Sequence, residues 1–158
     1  LQEDDKTFRL SLAGRAAEGG PLTMLNARYS GIDRLGRPFM LTADAASQDP
    51  SDPKLVILDR FAADITLRQG DWLWLGAESG AFHEQEQVLI LHGDVSLFTD
   101  KGFELHAAQA EFDLRQHVLI GQGGIAAQGP LGAVRADTLK VFDNGQHIAF
   151  EGNVRTIV

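Results

Sequence analysis

At 158 residues the chain fits one domain long enough to bury a substantial core, and 44% apolar with 23% charged residues is a globular composition. A net charge of -8 leaves no electrostatic footprint for nucleic acid and disfavours docking on an anionic membrane through a basic patch. The absence of cysteine excludes disulfides, thiolate metal sites and cysteine nucleophiles.

The chain opens at Leu1-Gln2-Glu3-Asp4-Asp5-Lys6 without an initiator methionine or a signal peptide, as expected of a soluble fragment excised from a longer protein. No window approaches the roughly 18 consecutive apolar residues of a membrane span. Residues 1–25 carry no usable pattern and are expected to be disordered or a linker, ahead of a single domain at 26–158.

From residue 39 onward a unit recurs about every thirty residues. Phe39-Met40-Leu41-Thr42-Ala43 begins a divergent first copy, followed by the turn-rich Asp49-Pro50-Ser51-Asp52-Pro53. Leu75-Gly76-Ala77, Leu105-His106-Ala107 and Val134-Arg135-Ala136 then align, with their alanines 30 and then 29 residues apart. The same offsets carry Phe82 onto Phe112 and Val141, Leu89 onto Leu119 and Ile148, and Gly93 onto Gly123 and Gly152. Within each unit apolar residues step by two, the strand period. The phase slips by three at Ala43/Ala46, Ala77/Gly80, Ala107/Ala110 and Ala136/Leu139, which predicts a recurrent bulge or sharp bend. Turns are expected at Gly36, Gln69-Gly70-Asp71, Asp100-Lys101-Gly102, Gly129-Pro130-Leu131-Gly132 and Asp143-Asn144-Gly145. The residues from Glu104 to Gln116 also suit a helix, but their counterparts in the other units do not, and repetition decides for strand.

Evenly spaced hairpins with one apolar face close that face off in a sandwich, jelly roll or barrel, and a stack of such units leaves two unpaired edges. The alternation places Leu41, Leu75, Phe82, Leu89, Leu91, Leu105, Phe112, Leu119, Ile125, Val134, Val141, Ile148 and Phe150 on the inner side. Ala77, Ala107, Gly123 and Ala136 are expected to leave room between the layers. Trp72 and Trp74 fall on the opposite face, as a lipid or partner contact or as a second layer of packing under a loop.

The segment Arg28-Tyr29-Ser30-Gly31-Ile32-Asp33-Arg34-Leu35-Gly36-Arg37-Pro38-Phe39-Met40-Leu41-Thr42-Ala43-Asp44 resembles the opening strand pair of LptC proteins. The later units, each a Leu-x-Ala strand followed by a Gly-x-Val or Gly-x-Ile strand, resemble the repeat shared by LptC, LptA and the amino-terminal domain of LptD; the likeness covers residues 26–158. It implies an all-β, twisted, V-shaped antiparallel jelly roll of about four units, in the periplasm of a Gram-negative bacterium. The expected anchor is an amino-terminal inner-membrane helix outside this fragment. The implied work is lipopolysaccharide binding and transfer in outer-membrane biogenesis, with acyl chains in the apolar slot. Surface acidity is expected to keep the head groups outside, near Arg28, Arg34 and Arg37, which read equally as a solvated hairpin. The implied partners are an LptB/LptF/LptG-type ABC transporter at the amino-terminal edge and an LptA-like bridge protein at the carboxy-terminal edge. That second edge is expected at Ala149, Phe150, Glu151, Gly152, Asn153, Val154 and Arg155. A homo-oligomer is left open, as are an LptA-like soluble bridge and a β-repeat scaffold with a dry core.

No cofactor, metal or catalysis is expected. His83, His92, His106, His117 and His147 are scattered, without metal-ligand spacing. Gly121-Gln122-Gly123-Gly124 leads into no helix that would hold a phosphate, and no Gly-x-Ser-x-Gly elbow occurs. Asp64, Asp94 and Asp113 read as outward positions rather than as a paired acid and base.

Overall fold

The computed structural model describes residues 22–32, 36–66, 70–143 and 147–157, and these form eleven strands and no α-helix. They are β1 (Thr23–Ile32), β2 (Pro38–Asp49), β3 (Asp52–Thr66), β4 (Trp72–His83), β5 (Val88–Thr99) and β6 (Glu104–Asp113). After them come β7 (Val118–Gly129), β8 (Gly132–Ala136), β9 (Thr138–Phe142), β10 (His147–Glu151) and β11 (Arg155–Ile157). Antiparallel pairing runs β1-β2-β3-β4-β5-β6-β7-β8-β11, while β9 pairs with β7 and β10 with β9. Among the described residues β1 pairs only with β2, and β10 and β11 only with β9 and β8, so the sheet does not close into a barrel. The stretch with helical propensity is β6 and the turn after it.

The phase slip of three is a corner that the long strands cross. Pairing breaks between Gly76 and Ser79, between His92 and Val95, and between Ala107 and Gln109. Alternate strands turn the corner differently. Asn26, Arg60, Gly93, Asp94, Gly123 and Gly124 of β1, β3, β5 and β7 have positive φ, as do Gly152 and Asn153 between β10 and β11. Their neighbours Asp44, Glu78 and Ala108 are not among the positive-φ residues, and Glu78 and Ala108 stand over Gly93 and Gly123. Glycine is required where that neighbour sits on top: a Cβ at Gly123 would lie 2.7 Å from the Ala108 Cβ, and one at Gly152 would lie 2.8 Å from the Asp137 Cβ. Gly123 therefore makes room on the outer side of the corner, not between the layers as its place in the repeat suggested.

The corner folds one hydrogen-bonded sheet so that its two halves face each other. Leu75, Ala63 and Val95 from one side and Val56, Leu58, Phe82 and Leu91 from the other belong to a single buried cluster. A smaller cluster of Ala107, Ile125, Ala136 and Leu139 continues it. The fold is thus an all-β antiparallel jelly roll whose two layers are the halves of one bent sheet. In the last unit the strands themselves break. Asp137 separates β8 from β9, its N–H donating to the Glu151 and Gly152 carbonyls (3.1 and 2.8 Å). The carboxy-terminal edge, expected as one strand, is β10 in one layer and β11 in the other, because the left-handed Gly152 and Asn153 interrupt it.

Two equivalent turns cover one rim. Gln87 and His117 hold the same left-handed position, each with φ 58°, and Arg115 Nη2 donates to the Gln85 carbonyl across the turns (3.0 Å). Gln87 is fully buried and donates to the Glu84 carbonyl (2.7 Å), and Leu114 packs on the larger cluster. Asp113, the last residue of β6, also caps the turn that follows: its Oδ1 accepts from the N–H groups of Arg115 and Gln116.

Candidate functional site

Register assembles the inner face into cross-strand rows. In one layer, Leu41, Ala63, Leu75, Leu97, Leu105, Ala127 and Val134 stand side by side from β2 to β8. In the other, Val56, Phe82, Leu89, Phe112, Leu119, Val141 and Ile148 form the matching row from β3 to β10. Nearer the corner, Ala46, Leu58, Gly80, Leu91, Ala110, Gly121, Leu139 and Phe150 make a third. These rows hold twelve of the thirteen apolar residues singled out from the sequence; Ile125 pairs with Ala107 and Ala136 in the smaller buried cluster.

Their burial is graded along the rows. Phe82 and Leu91 are 1% and 0% exposed, so the centre under β3–β5 is packed and each such side chain contributes about 1.5–3 kcal/mol. Along the same rows Leu105, Phe112, Leu119, Val134, Val141 and Phe150 are only half-buried. Ile148 ends its row 57% exposed, although it was expected inside, because β10 is an edge strand with no further strand in its row to cover it. Away from the corner the other layer opens in the same way: Leu73 and Leu97 are half-buried, and Tyr29 at the end of the Leu41 row is exposed. The inner face is thus packed under β3–β5 and less covered toward β10.

Val56, Leu58, Phe61 and Ala63 of β3 belong to the core but were not among the expected residues. Asp59-Arg60 at the corner interrupts their alternation; the signal that finds them is the step of three from Leu58 to Phe61. Toward the amino terminus Arg28 is exposed and Arg37 half-buried, while Arg34 lies outside the described residues. Trp74 packs on the outer face against Phe98, with centroids 5.6 Å apart, and Trp72 is exposed.

One polar network on the outer face has no counterpart in the sequence reading. The His106 Nε2 meets Glu104 Oε2 at 2.6 Å, and its Nδ1 meets Ser96 Oγ at 2.9 Å. Ser96 is 7% exposed, and its hydroxyl also donates to the Asp94 carbonyl (3.2 Å), so it secures the corner of β5. Among the described residues no group of three or more His, Asp or Glu side chains is arranged to hold a metal ion, and no helix is long and apolar enough to cross a membrane.

No protein-family model matches the chain, and no curated protein matches it.

Proposed function

We propose that this chain binds lipopolysaccharide, holds its acyl chains in the trough of the bent sheet, and passes the lipid on without catalysing a reaction. The observation that carries the proposal is the graded inner face. A single apolar floor runs from fully packed under β3–β5 to half-buried at Phe112, Leu119 and Val141 and exposed at Ile148. The less covered end lined by these residues offers apolar surface worth about 25 cal/mol per Å² to an acyl chain. The resemblance of residues 26–158 to LptC supplies the lipid class, the periplasmic setting and the inner-membrane anchor. The strand edges left unpaired among the described residues suit addition of a further strand. In this proposal β1 faces the LptB/LptF/LptG-type transporter, and β10–β11 face an LptA-like bridge protein.

The test is photo-crosslinking to lipopolysaccharide, with a photoreactive residue placed in turn at Leu105, Phe112 and the outward Glu111. Adducts at the first two but not the third support the groove. Absence of adducts at all three, in folded protein supplied with lipid and transporter, sinks it in favour of a scaffold with a dry core.

A further inference from the structure

The outer face carries a concavity, across the sheet from the apolar inner face. Register places Ser96, His106, Ala126, Arg135 and Arg155 in one cross-strand row. The short side chain of Ala126 leaves a gap between His106 and Arg135. It opens into a cleft of about 530 Å³, floored by Ala108, Gly124 and Ala126 and bordered by the two arginines.

Arg135 and Arg155 are direct cross-strand partners, so both side chains leave the same face, about 5 Å apart at Cβ. Like charges so placed destabilise a strand pair. The chain has 22 acidic against 14 basic residues, so carboxylates to neutralise them are plentiful. Even so, among the described residues neither arginine has an ion-pair or hydrogen-bonding partner for its side chain. The two carboxylates lining the cleft, Asp94 and Asp137, meet neutral or histidine side chains around it rather than the arginines. Asp137 Oδ2 accepts from Asn153 Nδ2 (2.9 Å), while Asp94 Oδ1 lies 3.3 Å from Ser96 Oγ and 3.7 Å from His106 Nδ1. The far nitrogen of His106 is held by Glu104.

We propose that this cleft binds a phosphate group, with the Arg135 and Arg155 guanidiniums sharing its oxygens. Two guanidinium forks side by side offer more N–H donors than a planar carboxylate can accept, and they match the charge and tetrahedral oxygens of a phosphate monoester. The site is independent of the apolar trough and stands whether or not lipid enters there.

The experiment is a titration of the chain with inorganic phosphate, followed by backbone amide shifts. Saturable shifts are expected at Gly124, Ala126, Arg135 and Arg155. Arg135→Gln should weaken binding about tenfold or more, and Lys54→Gln, the same charge change at an exposed site on β3, should leave it unchanged. Ala126→Leu should block the cleft with both arginines intact. Arg155→Glu should raise the melting temperature, by pairing with Arg135, while abolishing binding; a purely structural role cannot give that combination. A flotation arm identifies the source of the phosphate. Arg135-dependent flotation with phosphatidic acid vesicles, but not with phosphatidylcholine vesicles, indicates a lipid head group; a phosphate response without flotation indicates a soluble compound. No saturable shift, or equal affinities in wild type, Arg135→Gln and Ala126→Leu, would overturn the proposal.

Discussion

Replacing Gly123 and Gly124 one at a time by alanine separates two physical reasons for glycine at the corner of β7. Both have positive φ, 81° and 94°, so each alanine carries the left-handed cost of about 1–2 kcal/mol. A Cβ at Gly124 meets nothing within 4 Å, and Gly124→Ala should cost no more than that. A Cβ at Gly123 falls 2.7 Å from the Ala108 Cβ, which has no rotamer to move into. Relief requires β6 and β7 to separate, and overpacking of this kind adds about 1–3 kcal/mol. Gly123→Ala is therefore expected to cost about 2–5 kcal/mol in all. Adding Ala108→Gly should recover the steric part, seen as a coupling of about 1–3 kcal/mol in the double-mutant cycle. Urea unfolding followed by the fluorescence of Trp72 and Trp74 measures wild type and all four variants. Equal midpoints for Gly123→Ala and Gly124→Ala, or strictly additive effects of Ala108→Gly, would refute the steric argument and leave backbone conformation alone.

Phe82→Ala should cost about 3–5 kcal/mol in the same assay, because the ring is 1% exposed in the packed centre. Ile148→Ser, at the open end of the same row, should change stability by less than about 0.5 kcal/mol while reducing lipid adducts in the groove. Ser96→Ala removes the hydroxyl shared by His106 and the Asp94 carbonyl and should lower stability by about 1 kcal/mol; an unchanged thermal midpoint would show that this bond does not secure the corner. Removing residues 155–158 takes away the exposed β11 and should preserve the far-ultraviolet spectrum while abolishing co-purification with an LptA-like bridge protein. Retained co-purification would count against that edge as the docking site.

The parts of the fold that repeat were legible in the chain. Leu75, Leu105 and Val134 recur with their strands, and the slip from Ala107 to Ala110 marks the bend because backbone geometry forces the inward face to be recovered after each corner. The uneven cover of the inner face was not legible. Phe82 and Ile148 share an inner row and an apolar character, and they differ in burial only because β10 lies at an edge. Likewise Arg135 and Arg155 stand 20 residues apart in sequence and become neighbours through the pairing of β8 with β11. Side-chain identity announces a face; coverage and cross-strand adjacency arise only once register is fixed.

The corner has a mechanical consequence. From β2 to β7 continuous strands cross it side by side, each tied to the next by backbone hydrogen bonds in both layers. Widening the angle there would bend all of these crossings together, so this part acts as a stiff spine rather than a hinge. Past β7 the crossings are severed at Asp137 and at Gly152–Val154, and the layers continue as separate strands of five and three residues. Compliance is therefore concentrated at one end of the molecule, the same end at which the inner face is exposed. Amide hydrogen exchange should slow from β10–β11 toward β4–β5, and a guest entering the trough would spread the severed end while the spine keeps its angle.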